Sequence, residues 1–139
     1  MPNVGIHRRG EVVLADLLER MKEDLDEEVG AIGCFVGVVR AVSREGKKVR
    51  RLSYEAAGDA DKKIEEIASE AEKQPNIKRV MIHHIIDQLT PGEETIYVLV
   101  AGKKREDVFK ALPEIMNRVK TEVPIWKKEV TENGEYWIH

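Results

Sequence analysis

Cysteine is almost missing. Cys34 stands alone in 139 residues, which excludes a disulfide framework within one chain. It lies in the apolar run Ala31 to Val36, where the expected role is a small hydrophobe buried in a strand. No apolar run comes near the length of a membrane span. The first apolar cluster, Val12-Val13-Leu14, is short and flanked by acids, unlike a secretory leader, so a soluble cytoplasmic protein with no membrane association is expected. Aromatic residues are scarce, at 5% of the chain, and they do not interleave with basic ones, which argues against a nucleic-acid surface. Nor does one sign of charge dominate. Charged residues make up 35% but the formal net charge is only -3, which leaves room for a local basic patch and for no global one.

The signatures of several chemistries are also absent. The histidines are His7, His83, His84 and His139. His83 and His84 are adjacent on a predicted strand and so point to opposite faces, which suits structural roles. No Cys or His spacing matches a zinc site, no glycine-rich phosphate loop is present, and no Gly-x-Ser-x-Gly elbow occurs. No metal and no cofactor is expected.

What is present reads as one domain over residues 1–139. Residues 1–10 suit a short edge strand. Leu14, Leu17, Leu18, Met21 and Leu25 recur at helical spacing and predict a helix over 11–28. Residues 30–42 are apolar and β-branched. With the turn signal Ser43 to Lys47 and the run Val49, Leu52, Tyr54, they predict a hairpin, and Gly33 and Gly37 inside the first strand suggest a bulge or a close backbone approach. Asp59 is placed to cap a second helix whose stripe is Ala60, Ile64, Ile67, Ala68 and Ala71. Strands over 77–86 and 95–101 should pair antiparallel. A third helix follows, with the stripe Val108, Ala111, Leu112, Ile115, Met116 and Val119, and Pro113 awkward within it. The chain then runs extended through Pro124 to Val130, turns at Asn133-Gly134, and returns through Tyr136-Trp137-Ile138. Strands in sequential pairs favour a mostly antiparallel α+β fold with three main helices.

Cations gather at the ends of these elements: Arg40, Lys103, Lys104, Arg105, Lys120, Lys127 and Lys128. A solvated surface accounts for any one lysine, and Lys120 also suits the dipole at a helix end. Together they suggest more. Pro124 and Trp126 fix the lysines on a rigid turn, and a helix N-terminus beside Lys104 and Arg105 adds donors for an anion. Such a corner suits a small substrate bearing phosphate. Crowding the lysines lowers the pKa, which equips one of them for proton transfer near neutral pH.

Four stretches in order carry a family resemblance. They are Gly30-Ala31-x-x-x-Phe35-x-Gly37-x-Val39-Arg40, Leu52-x-Tyr54-Glu55-Ala56, Leu89-x-Pro91-Gly92-Glu93 and Met116-x-x-x-Lys120-x-x-x-Pro124-Ile125-Trp126-Lys127-Lys128-Glu129. On these residues the chain resembles the large subunit of molybdopterin synthase, the MoaE family, from about Gly30 to Trp137. The resemblance implies an α/β hammerhead fold and a homodimer at the centre of a heterotetramer. Each large subunit would bind a small ubiquitin-like, MoaD-type subunit whose Gly-Gly tail ends in a thiocarboxylate. It implies a sulfurtransferase that places two sulfurs on precursor Z, cyclic pyranopterin monophosphate, to form the dithiolene of molybdopterin. Carried over by motif, Lys120 and Lys127 are the catalytic pair. Arg40, with Val38 and Val39 before it, lines the substrate site. Lys104 and Arg105 match a His-Arg pair reaching in from the other protomer, Lys128 and Glu129 complete the pocket wall, and Met116 packs against the pterin. Lys104 stands where the family has histidine, and Ala57 where it has tyrosine. The competing reading is a non-catalytic module that captures an acidic peptide tail or a phosphorylated ligand on the same basic corner.

Overall fold

Two four-stranded sheets and three helices form the chain, of which the computed structural model describes residues 3–138; His139 lies outside the described residues. The elements in order are β1 (Val4–His7), α1 (Leu14–Met21), β2 (Ala31–Val38), β3 (Val49–Ala56), α2 (Ala60–Glu72), β4 (Ile77–Ile85), β5 (Gln88–Leu89), β6 (Glu94–Gly102), α3 (Arg105–Glu122), β7 (Ile125–Thr131) and β8 (Gly134–Ile138). One sheet has the order β1-β4-β6-β2 and the other β5-β3-β7-β8. Every pairing is antiparallel except β1 with β4, so the expected α+β class holds. No helix among the described residues is long and apolar enough to cross a membrane.

The first sheet is buried on both faces, which explains the apolar runs Val80 to Ile82 in β4 and Ile96 to Ala101 in β6. One face presents Val80, Ile82, Ile96, Val98 and Val100 to the predicted stripes of α2 and α3. On the other face Met81, Tyr97, Leu99 and Ala101 meet Leu17 and Met21 of α1, together with Val49, Leu52 and Leu89 from the second sheet. Ile64 and Ile67 are wholly enclosed, each worth about 1.5–3 kcal/mol relative to exposure.

Four expectations need correction. The helix predicted over 11–28 spans only Leu14–Met21. Arg79 explains the early stop: its guanidinium donates to the carbonyls of Arg20, Met21 and Glu23, so the helix end finds its partners off the helix, and Asp24 turns the chain with φ 50. The hairpin predicted from residues 30–54 is only a tip. Val42 bridges Lys48, but β2 then pairs with β6 and β3 with β7, because the two strands diverge into different sheets. Cys34 is exposed rather than buried; β2 is the open edge of its sheet, so a side chain there has neighbours on one flank only. The stretch Leu89 to Glu93, which reads as a turn, begins in the short strand β5, paired to β3.

Other details hold. The ladder shifts register between Gly37 and Val38, and Gly33 marks a close approach. A Cβ there would lie 2.3 Å from Val108 Cγ1 and 3.0 Å from Leu112 Cδ1, so the bare glycine lets α3 sit down on β2. Asp59 occupies the N-cap position of α2 without a side-chain capping bond. Pro113 sits mid-helix on an exposed face of α3, where the backbone bond it cannot make borders water.

Gly33→Ala should therefore destabilise the chain by about 1–3 kcal/mol through overpacking. Urea unfolding reads the difference; equal midpoints would show that α3 has room to move.

Candidate active site

Lys120 and Lys127 reach one place by two routes. Lys120 lies in the last turn of α3, and that end of the helix is clamped. Arg118 forms a fork to Glu122 at 2.7 and 2.9 Å and also bridges to Glu70 of α2. Val123 leaves the helix in an extended conformation, as a residue before proline must. The Pro124 carbonyl then accepts a bond from the Ala57 N–H at 3.0 Å, which ties the turn to the end of β3. From there β7 runs antiparallel to β3, with Lys127 opposite Tyr54 and, on its other flank, opposite Ile138 of β8.

Alternation along β7 separates the two neighbouring lysines. Lys128 points to the opposite face, where its amine pairs with Glu135 at 2.9 Å and lies 5.3 Å from the Trp137 ring centroid. Lys127 is half-buried between Tyr54 and Ile138. Burial first, and then the charges of Lys120, Arg44 and Arg40, push the Lys127 amine below its ordinary value; Glu129 opposes them.

Two cavities meet at Lys127. One, of about 520 Å³, is lined by Val38, Val39, Arg40, Arg44, Lys127 and Glu129 among others. The second, of about 630 Å³, is lined by Phe35, His84, Met116, Lys120, Trp126 and Lys127 among others. Val38, Arg44, Tyr54, Lys127 and Ile138 line both. A cavity of about 720 Å³ lies elsewhere, between β1 and α2, with Asp61, Glu65 and Glu72 on its wall against the one cation Lys62; it holds none of the site residues expected from the sequence and has the wrong charge for an anion.

The structure thus brings together Val38, Val39, Arg40, Met116, Lys120, Lys127 and Glu129. It does not bring Lys128 to either cavity. Lys104 and Arg105 lie at the N-terminal end of α3; Lys120 is 16 positions after Lys104, about 24 Å along a helix. There the Asp107 carboxylate accepts from the Lys104 N–H at 3.2 Å.

Three further residues line the site without having been assigned to it. Arg44 reads in sequence only as part of a turn, where no periodicity says which way a side chain faces. Tyr54 falls inside a motif and on the same strand face as Leu52, which is signal enough to place it. His84 was given a structural role, yet it stands on this wall. Its imidazole lies edge-on to Tyr54, with ring centroids 5.1 Å apart, and its Nδ1 is 3.1 Å from the Ile85 carbonyl. Burial, helped by the Lys127 charge and opposed by that backbone bond, lowers it to about 4. His83, on the opposite face, pairs its Nδ1 with His7 Nε2 at 2.8 Å. Burial and then the His7 and Arg20 charges hold it at about 4 also. Burial raises the Tyr54 phenol, against a hydrogen bond with the Thr95 side chain. The site floor is therefore neutral, and its positive charge stands at the rim. Among the described residues, no three His, Cys, Asp or Glu side chains are grouped to hold a metal ion.

Comparison with known proteins bears on this geometry. Residues 6–122 match the family described as MoaE protein. A molybdopterin synthase catalytic subunit from Pyrococcus abyssi is 44% identical over 78% of this chain and 74% of its own length. A probable molybdopterin synthase from Haloferax volcanii is 36% identical over 92% of this chain, which spans only 50% of that relative. The crystal structure of molybdopterin synthase from Staphylococcus aureus superposes with a TM-score of 0.88 at 30% identity, covering 100% of this chain and 98% of that one. A complex of subunits 1 and 2 of molybdopterin-converting factor from Helicobacter pylori superposes at 0.76 and 20% identity, covering 98% and 90%, a likeness of fold.

The two buried histidines generate a pH prediction. Their folded-state pKa of about 4 lies below the ordinary 6.5, so the unfolded chain takes up protons first as pH falls. Stability should be fully present above about 6.5 and decline towards pH 4 as each imidazole is forced to take a proton in its buried place. Urea unfolding at pH 7 and pH 4.5 measures this. Equal stability at the two would mean that neither imidazole is held neutral by burial.

Proposed function

The chain belongs to the MoaE protein family, and from that premise we propose that it is the catalytic half of a cytoplasmic molybdopterin synthase. It transfers sulfur from the C-terminal thiocarboxylate of a small ubiquitin-like subunit to a cyclic pyranopterin monophosphate. One observation carries the reading. Arg40, Arg44, Lys120 and Lys127 converge where two cavities meet, and none of them makes a side-chain hydrogen bond or salt bridge to the described residues. Some cations elsewhere are paired, as Lys78 and Lys103 are with Glu28; what sets these four apart is that they converge on adjoining hollows. Like charges left unpaired around a hollow repel one another until an anion enters.

The proposed reactants are both anions, and opening a cyclic phosphate develops further negative charge on the leaving oxygen. Fixed cations at that point stabilise it. Lys127, lowered by burial and by its neighbours, is the proton carrier: it gives a proton to the leaving phosphate oxygen and takes one from the water that later attacks. Lys120 and Arg40 hold the phosphate, and Met116 packs against the ring. The partner supplies the sulfur, so no protein nucleophile is required, and exposed Cys34 lines neither cavity.

Lys104 and Arg105 can join this site only from a second copy, since in one chain they stand at the far end of α3. That supports the proposed homodimer, with one small subunit on each large one. The like-folded Helicobacter pylori chain comes from a two-subunit complex, which supports the partner.

Lys127→Ala should abolish sulfur transfer, by on the order of a hundredfold or more, while the partner still binds. Lys120→Ala should leave a small residue of activity, and Lys127→Arg should fail as badly as the alanine because arginine does not give up its proton. A single-turnover assay with the thiocarboxylated partner and the cyclic pterin phosphate reads all three. Near wild-type rates in Lys127→Ala would remove Lys127 from the mechanism, and full tolerance of arginine at both positions would favour simple anion capture.

A further inference from the structure

We propose that Arg44 is a second anion-binding arginine of this site, reaching from the turn between β2 and β3 over the wall shared by both cavities to hold the substrate phosphate beside Lys127. The inference rests on the function proposed above and adds a residue to it. Arg44 lines both cavities, whereas Arg40 lines only the first.

Three observations together set Arg44 in this site. Its turn is built rather than loose. Ser43 is buried, its N–H donates to the Lys47 carbonyl at 2.8 Å, and its carbonyl accepts from Gly46 at 3.0 Å. The Lys47 N–H donates to Ser43 Oγ at 3.0 Å, Val42 bridges Lys48, and Gly46 closes the turn at φ 81, a conformation that favours glycine. Second, the guanidinium has no partner among the described residues although Glu45 follows it directly. By contrast, Lys47 on the same turn is engaged, its amine 3.5 Å from the Tyr136 hydroxyl and 5.1 Å from the ring centroid. Third, Arg44 and Lys127 line the same wall in both cavities, and the charge of Arg44 weighs more on the Lys127 amine than that of Arg40.

Two cations held near each other on rigid supports gain from an anion between them. The planar fork of arginine fits phosphate oxygens two at a time, which a lysine there would not do. A ligand seated between Arg44 and Lys127 also has access to both cavities, so its phosphate can be gripped in one while the remainder lies in the other.

The test uses the full chain and two variants, Arg44→Ala and Arg44→Lys, with exposed Arg50→Ala as the control. Calorimetry with inorganic phosphate reads anion affinity, and steady-state kinetics with the thiocarboxylated partner and the cyclic pterin phosphate reads KM and kcat. Losing one charge-assisted contact should raise KM and weaken phosphate binding roughly tenfold in Arg44→Ala. The loss should fall more on KM than on kcat, the mark of a lost binding contact. The Lys127 titration midpoint, followed by NMR of its side chain, should rise in Arg44→Ala because a neighbouring cation is gone. It should stay low in Arg44→Lys, which keeps the charge and restores only part of the phosphate affinity. Unchanged KM, phosphate affinity and midpoint in Arg44→Ala would overturn the inference, as would an equal loss in Arg50→Ala. If the wild-type chain transfers no sulfur, the proposed function falls, and phosphate affinity with the Lys127 midpoint still decides Arg44.

Discussion

The register of β7 against β3 is the constraint on which the site depends. Lys127 faces the cavities and Lys128 faces Glu135 only because Tyr54 stands opposite the first and Ser53 opposite the second. A slip by one residue would exchange the two amines and put every neighbour on the wrong side. The register is pinned at both ends, by the Ala57 to Pro124 bond at the start of β7 and by the tight return at Gly134 into β8. Proline serves twice here, in stopping α3 and in fixing where the extended strand begins.

Around that strand the fold divides its labour. The first sheet, covered on both faces, supplies rigidity, and the second supplies much of the wall of the candidate site. α3 belongs to both: its apolar stripe is bound into the first core, and its last turn carries Lys120 into the site. The ion pairs of Arg118 with Glu70 and Glu122 fix that last turn in place. Exposed pairs of this kind contribute little stability, so their value lies in position. The neutral floor of Tyr54 and His84 completes the arrangement. A charged histidine there would add one more cation beneath Lys127; a buried one accepts neutrality and leaves the charge to side chains that meet the ligand.

Much of this was legible in the sequence. The stripes of α2 and α3 were read correctly because a helix buried on one face repeats every three to four residues. The final hairpin was read from Asn133-Gly134, a turn with its own local chemistry. What failed lacked local signal. Arg79 ends α1 from more than fifty positions away, and nothing near Met21 announces it. The partners of β2 and β3 are decided by β6 and β7, so two adjacent strands passed for a hairpin. Cys34 looked buried because its neighbours are apolar, whereas its exposure follows from the edge position of β2. In the candidate site, Arg40, Lys120 and Lys127 were picked out by motif and by their placement at element ends, and the structure sets them around adjoining cavities. Arg44 and His84 were not, since a turn has no period and a strand histidine does not reveal which wall it will line.

The pairing of Tyr54 with Lys127 has a kinetic consequence. It joins segments roughly 70 residues apart, so its loop closure is slow and entropically unfavourable compared with a hairpin. Locally coded pieces, the α2 and α3 stripes and the β7-β8 hairpin, have far less chain to close. The apolar packing of the helices can thus form ahead of the cation cluster, and repulsion among Arg40, Arg44, Lys120 and Lys127 enters late, after enough contacts exist to contain it. In this chain the clustered charges of the candidate site are the part of the structure that assembles against resistance, and the long detour between β3 and β7 would postpone that step.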